Sequence, residues 1–119
     1  MKILLIDPDE YYHSQFQEII SPYDELLISR DVASARSVLV KSMPEVLIME
    51  LLLPDRAGYE LLQEIRSQDI AQKPPVIIFS SLENLEDIQE SLNYGIAGYF
   101  VKGRDSINDV KNLLLTLNI

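Results

Sequence analysis

The sequence contains no cysteine, which excludes a disulfide framework, thiolate metal sites and cysteine nucleophiles. It is short of bases: ten lysines and arginines face nineteen acids, for a formal net charge of -9. A field of that sign repels nucleic-acid phosphates and anionic membranes unless a basic patch overrides it, and the sequence offers no such patch. Long apolar runs are also missing. The longest, Leu51 to Leu53 with their neighbours, fall far short of the ~20 residues needed to span a bilayer, and Met1-Lys2 leads straight into a strand-like segment without a signal-peptide cleavage site. No direct nucleic-acid partner and no membrane partner are expected, and the expected compartment is the cytoplasm. There is one histidine, and no internal repeat, low-complexity tract or linker.

What remains is enough for one domain. The chain has 119 residues, 47 % of them hydrophobic, and at this length folding buries roughly 65 to 70 % of the unfolded surface. A single domain over 1–119 is expected. Because Ile119 follows the last periodic segment within about a turn, no appended output domain is expected either.

Five short β-prone runs recur: Ile3 to Ile6, Leu26 to Ile28, Val46 to Met49, Val76 to Phe79 and Tyr99 to Val101. Between them lie segments of helical period: Tyr12, Phe16, Ile19 and Ile20; Val32, Ala35 and Leu39; Leu61, Leu62 and Ile65; Leu85, Ile88 and Leu92; Ile107, Val110, Leu114 and Leu117. Pro22, Pro44 and Pro74-Pro75 stop helices or open strands, and Gly95 stands where a helix end wants a left-handed residue. Asp31, Asn84 and Asp105 suit N-caps. Strand alternates with helix five times, and the strands read as apolar on both faces. This predicts an α/β fold, a doubly wound (βα)5 parallel five-stranded sheet with helices on each side, and right-handed crossovers leave it few topologies.

In such sheets reactive groups gather at the carboxyl ends of the strands. The first strand ends in Asp7-Pro8-Asp9-Glu10, the third in Glu50, the fourth in Ser80-Ser81 and the fifth in Lys102. Several carboxylates, a hydroxyl and one ammonium on one rim suit a divalent cation or a phosphoryl group better than an apolar ligand.

With these landmarks in order, the chain resembles a response-regulator receiver domain of two-component signalling from end to end, which implies the flavodoxin-like receiver fold. Ile3-Leu4-Leu5-Ile6-Asp7 resembles the first strand and its acidic pair. Pro44 to Glu50, followed by Leu53-Pro54-Asp55-Arg56-Ala57-Gly58, resembles the phosphoacceptor strand and its loop. The resemblance implies that Glu50 stands at the phosphoacceptor position, Ser80 at the switch hydroxyl, Tyr99 at the switch aromatic and Lys102 at the family's lysine. Asp7 and Asp9 form the acidic pocket in this reading.

Three departures fall on the reaction centre. Glu50 replaces the aspartate that the family pattern implies, Pro8 replaces the second acid of the pair, and Gly103 replaces the proline usual after the lysine. Phosphoryl transfer depends on an in-line carboxylate and a Mg²⁺ ion, and one extra methylene displaces the Glu50 carboxylate by roughly 1 Å, enough to cost on the order of 100-fold. Asp7, Glu50 and the Leu52 carbonyl are a thin ligand set for Mg²⁺, so the metal site is expected to be weak or absent. Without proline, a cis bond after Lys102 costs about 2.5 to 4 kcal/mol.

Each residue also has a plainer reading. Asp7 to Glu10 can be a helix start, with Asp7 as N-cap, Pro8 first in the helix and Glu10 closing a capping box. Glu50 beside Lys102 can be a buried ion pair, or it can hold Lys102 and Ser80 in an activated-like state. Tyr99 can be packing or switch. His13 has no partner at metal spacing and reads as exposed. Glu83, Glu86, Asp87 and Glu90 make the fourth helix acidic, either as a solvated face or as a surface for a basic partner.

The leading expectation is a non-enzymatic pseudo-receiver that signals through the Tyr99 and acidic fourth-helix face to a protein partner, such as a histidine kinase or an output protein. The alternative is a haloacid-dehalogenase-type phosphohydrolase using Asp7 and Asp9 as its acid pair. A flavin site fails, because the loop after the first strand carries three carboxylates where a phosphate would need donors.

Overall fold

The computed structural model describes residues 1–67 and 73–117. The apolar runs become β1 (Lys2–Ile6), β2 (Glu25–Ser29), β3 (Val46–Met49), β4 (Val76–Ser80) and β5 (Gly98–Val101). The periodic segments become α1 (Glu10–Ile19), α2 (Val32–Ser42), α3 (Gly58–Ser67), α4 (Leu85–Leu92) and α5 (Ile107–Thr116). All strand pairs are parallel, in the order β2-β1-β3-β4-β5.

The two-residue period of the strands divides the core into two layers. Leu4, Ile6, Leu47, Met49, Val76 and Ile78 pack with Val32 and Ala35 of α2 and with Leu61, Leu62 and Ile65 of α3. Ile3, Leu5, Val46, Ile48, Ile77 and Phe79 pack on the other face with Phe16 of α1 and with Val110 and Leu114 of α5. The expected fold class is therefore the observed one. Strand β1 pairs with β2 on one side and with β3 on the other, so strand order reverses between β1 and β3. The ends of these two strands open the crevice where a doubly wound sheet holds its chemistry.

Several local expectations change. The N-cap of α1 is Asp9, whose carboxylate accepts from the Tyr11 N–H, and the helix begins at Glu10. The helix start read from Asp7 and Pro8 is displaced by two residues, because Asp7 Oδ1 instead accepts from the Asp9 N–H at 2.8 Å and turns the chain first. Ser106, not Asp105, caps α5, in a reciprocal capping box with Asp109. Asp31 and Asn84 do cap α2 and α4, and Gly95 is left-handed at φ 68°. The stripe of α4 is the largest correction. Leu85 is 67 % exposed and Leu92 56 % exposed, so this helix does not bury the face that its spacing advertises.

Candidate functional site

The rim at the carboxyl ends of β1, β3, β4 and β5 carries one connected polar cluster. Asp7, Glu50 and Ser80 are all buried there among apolar strands, and a buried polar group must find partners. Glu50 finds them on both oxygens. Its Oε2 accepts from the Leu51 N–H at 2.7 Å, the Leu52 N–H at 3.2 Å and the Ser80 hydroxyl. Its Oε1 accepts from Lys102 Nζ at 3.0 Å, the Ser81 N–H at 3.2 Å and the Ser81 hydroxyl at 3.3 Å.

Lys102 lies between the two acids. Its Nζ is 2.7 Å from Asp7 Oδ2 and 3.0 Å from Glu50 Oε1. Lys102 is the one charged partner that reaches Asp7 Oδ2 among the described residues. The ammonium also stands 4.3 Å from the centre of the Tyr12 ring, a cation–π distance. The peptide after Lys102 is trans, and Gly103 takes φ 86°.

Burial and pairing set the charges. Burial pushes the Glu50 carboxyl up, but the Ser80 hydrogen bond, the Lys102 charge and the Leu52 amide together outweigh it and hold Glu50 below its ordinary value. Asp7 goes the other way, because burial raises it more than Lys102 and the Asp9 amide lower it. Burial would lower Lys102, yet Asp7 and Glu50 keep its ammonium above the ordinary lysine value. Glu50 and Lys102 are thus firmly ionised, and Asp7 is the strained member of the three.

Does this arrangement suit a divalent cation? Mg²⁺ demands near-octahedral oxygen ligands. Here Pro8 supplies no oxygen on its side chain, the ammonium already bridges Asp7 and Glu50, and both Glu50 oxygens are occupied by donors. Among the described residues no group of three or more His, Asp or Glu side chains is placed to hold a metal ion. The donor set does not fit Mg²⁺ in this conformation.

The site residues named from sequence mostly converge. Asp7, Glu50, Ser80 and Lys102 share the cluster, and Tyr99 joins it indirectly. The Leu82 N–H donates to Ser80 Oγ at 3.2 Å, and the Tyr99 hydroxyl donates to the Leu82 carbonyl at 2.6 Å, giving a continuous path from Glu50 to half-buried Tyr99. Asp9 stands apart, exposed at the rim with its carboxylate committed to capping α1. That leaves the phosphohydrolase alternative without its second acid.

The roles of three residues escaped the sequence reading. His13 is buried, not exposed, and its Nε2–H donates to the Asp7 carbonyl at 2.6 Å, fixing the turn below the site. Its spacing of three from Phe16 was the available signal, since that places both on one helix face. Ser81 adds two donors to Glu50, for which sequence offered only adjacency to Ser80. Asp55, in the loop after β3, accepts from the N–H groups of Val32 and Ala33 at 3.0 Å each and so caps α2 from outside. No sequence signal marked that role.

Comparison with known proteins agrees with this fold. The sequence matches the family described as response regulator receiver domain over residues 3–113. It is similar to the Regulator of RpoS of Escherichia coli (strain K12), 23 % identical over 114 residues that cover 95 % of this chain and 33 % of that protein. It is also similar to the Cell cycle response regulator CtrA of Brucella ovis, 26 % identical over 103 residues, covering 86 % of this chain and 44 % of that one. The chain thus spans between a third and a half of the length of these relatives. Among solved structures, the BeF3-activated N-terminal receiver domain of Klebsiella pneumoniae RstA superposes with TM-score 0.84 at 20 % identity and covers 100 % of both chains. The phosphorylated cyanobacterial phytochrome response regulator RcpA gives TM-score 0.81 at 25 % identity, covering 94 % of this chain and 87 % of that one.

Proposed function

The chain belongs to the response regulator receiver domain family, and from that premise we propose that it is an atypical, non-enzymatic receiver that signals by protein contact without ordinary phosphorylation at Glu50. One observation carries this reading: the Glu50 carboxylate already engages the backbone amides, both serine hydroxyls and the lysine that would otherwise meet an incoming phosphoryl group. A carboxylate accepting so many donors is a poor in-line nucleophile, because attack requires it to give them up in a pocket that lacks a fitting cation site.

In this reading Glu50 is a built-in anion that holds Ser80 inward, and through Leu82 it holds Tyr99. Domain conformation is then biased without a phosphoryl donor, since a bound group shifts an equilibrium by its differential affinity for the two states. The output surface is α4 with Tyr99. Glu83, Glu86 and Glu90 are exposed there beside Leu85 and Leu92, which suits a basic partner segment carrying apolar anchors. A histidine kinase or an output protein is the class of partner that the family supplies. No helix among the described residues is long and apolar enough to cross a membrane, in keeping with a cytoplasmic role.

The test is direct. The protein is incubated with Mg²⁺ and acetyl phosphate, then weighed by intact-mass spectrometry, and a parallel amide NMR titration uses Mg²⁺ with beryllofluoride. The expected outcome is no stable phosphoryl adduct and no shift at Glu50, Ser80 or Ser81. An adduct mapped to Glu50 overturns the proposal.

A further inference from the structure

Helix α4 stands apart from both apolar core layers. None of its apolar residues, Leu85, Ile88 or Leu92, belongs to either core layer, and the one fully buried residue along it is Ser91. Helices of a doubly wound fold normally rest on the sheet by an apolar face, which supplies most of their stability. Here polar contacts from α3 take that role. The Tyr59 hydroxyl, in the first turn of α3, donates to Asp87, with the carbonyl at 2.9 Å and Oδ1 at 3.2 Å. Seven residues on, two turns along the same face of α3, Arg66 Nε donates to the Tyr94 carbonyl at 2.7 Å, just past the end of α4. The Tyr59 and Tyr94 rings lie 6.4 Å apart, tilted by 33°.

Tyr59 is also tied to the site. Gly58 N–H donates to the Leu51 carbonyl at 2.8 Å. A Cβ on Gly58 would stand 2.9 Å from Leu51 Cα and 3.1 Å from the Glu50 carbonyl, so α3 starts in direct contact with the Glu50 loop, at a distance only glycine allows. The Leu51 and Leu52 amides of that loop are held by the Glu50 carboxylate. The loop that Glu50 holds thus abuts the residue that precedes Tyr59. Burial pushes the Tyr59 phenol up to about 12, so it remains a donor at any working pH.

We propose that Tyr59 and Arg66 latch α4 onto α3, and that Tyr59, as a positioning residue, couples the Glu50 loop to α4 by a route that bypasses Ser80 and Tyr99. The latch goes beyond the reading of Glu50 given above, and only the coupling rests on it. Without its anchors α4 has little to rest on, so the acidic face it presents depends on these polar contacts.

Two readouts on the full chain test this. Amide hydrogen exchange of wild type and Tyr59→Phe measures the latch, with β3 and β4 as internal reference. Opening of residues 87–92 is expected to rise roughly five- to tenfold in the variant while the strands stay unchanged. Uniform acceleration of the whole chain, or none, overturns the latch. For the coupling, the amide shifts caused by Glu50→Gln are compared with Tyr59 intact and in the Tyr59→Phe background. The Glu50→Gln response at Asp87 to Ser91 should fall by about half or more without the hydroxyl, while that at Ser81, Leu82 and Tyr99 persists. An undiminished response at α4 overturns the coupling, whereas no response at Ser81 and Tyr99 counts against the reading of Glu50 instead. Arg66→Gln gives a second arm should Tyr59→Phe fold poorly: its faster exchange should be confined to residues 91–95, and a spread to the N-terminal turn of α4 would refute two separate anchors.

Discussion

At the rim of the sheet one glutamate carboxylate collects three donors on each oxygen. Along α4, among the described residues, the carboxylates of Glu86 and Glu90 collect neither hydrogen bond nor ion pair and face solvent. The side chain is the same and the environment differs. Burial at the rim makes Glu50 costly unless every lone pair is used, so it organises its neighbours and fixes local geometry. Exposure leaves Glu86 and Glu90 hydrated and worth little to the fold, but it leaves their field free to act on an approaching molecule. One region of this molecule commits its charge to structure, and the other leaves it to solvent.

The comparison breaks first at Lys102. Replacing Lys102 by Met deletes the cation shared by Asp7 and Glu50 and leaves two buried carboxylates facing each other. Breaking a buried pair costs about 3 to 5 kcal/mol, and the lower end is expected here because Glu50 keeps its neutral donors and Asp7 can take up a proton. Urea denaturation should show this loss, while Glu86→Ala stays within about 0.5 kcal/mol of wild type. Equal small effects would mean that the rim pair is no more structural than the helix surface.

Next comes the helix itself. Glu86→Lys with Glu90→Lys reverses the field of α4 without touching the core. Association with a basic partner should slow by roughly tenfold at low salt, with the dissociation rate little changed, and the difference should fade as salt rises. Surface plasmon resonance at several ionic strengths checks this. A partner footprint on α2 and α3 in place of α4 would overturn the output face proposed above.

How much of this was open to a reader of the sequence follows the same division between buried and exposed. The strands were legible because each is a short apolar run whose burial follows from hydrophobicity alone, and Val46 to Met49 matches its run residue for residue. Asp7, Glu50, Ser80 and Lys102 were legible as a site because they end strands, and a parallel sheet gathers strand ends on one side. What binds what was not legible. The amides of Leu51 and Leu52 that hold Glu50 belong to loop backbone, and the Tyr59 to Asp87 bond joins residues 28 apart. The exposure of Leu85 and Leu92 was hidden for another reason. Spacing says that a helix has an apolar face but not that a sheet lies beneath it, and α4 sits where the sheet runs out at its edge strand β5.

The smallest expected effect is a pH dependence, and its sign follows from the rim. Glu50 has its carboxyl lowered, so its contribution to stability is present above its ordinary value of 4.5 and is lost as pH falls through the lower folded value. Asp7 has its carboxyl raised by burial, so its contribution is present below its ordinary 3.8 and is lost as pH rises through the higher folded value. On the acid side the two therefore oppose each other, which keeps the net effect of the rim modest. Glu50→Gln removes one of them. Measured as denaturation midpoints between about pH 7 and about pH 3, the stability gap between wild type and Glu50→Gln should be widest above pH 4.5 and should close as the solution is acidified. The variant should also hold its stability better than wild type over that span, because it has no Glu50 carboxylate to be neutralised as pH falls. Carboxylates elsewhere with lowered values, such as Asp55 and Glu64, titrate in both proteins and drop out of the difference. A gap that stays constant across the range would mean that Glu50 is no better held than a glutamate on α4, and the contrast between the two regions would lose its electrostatic basis.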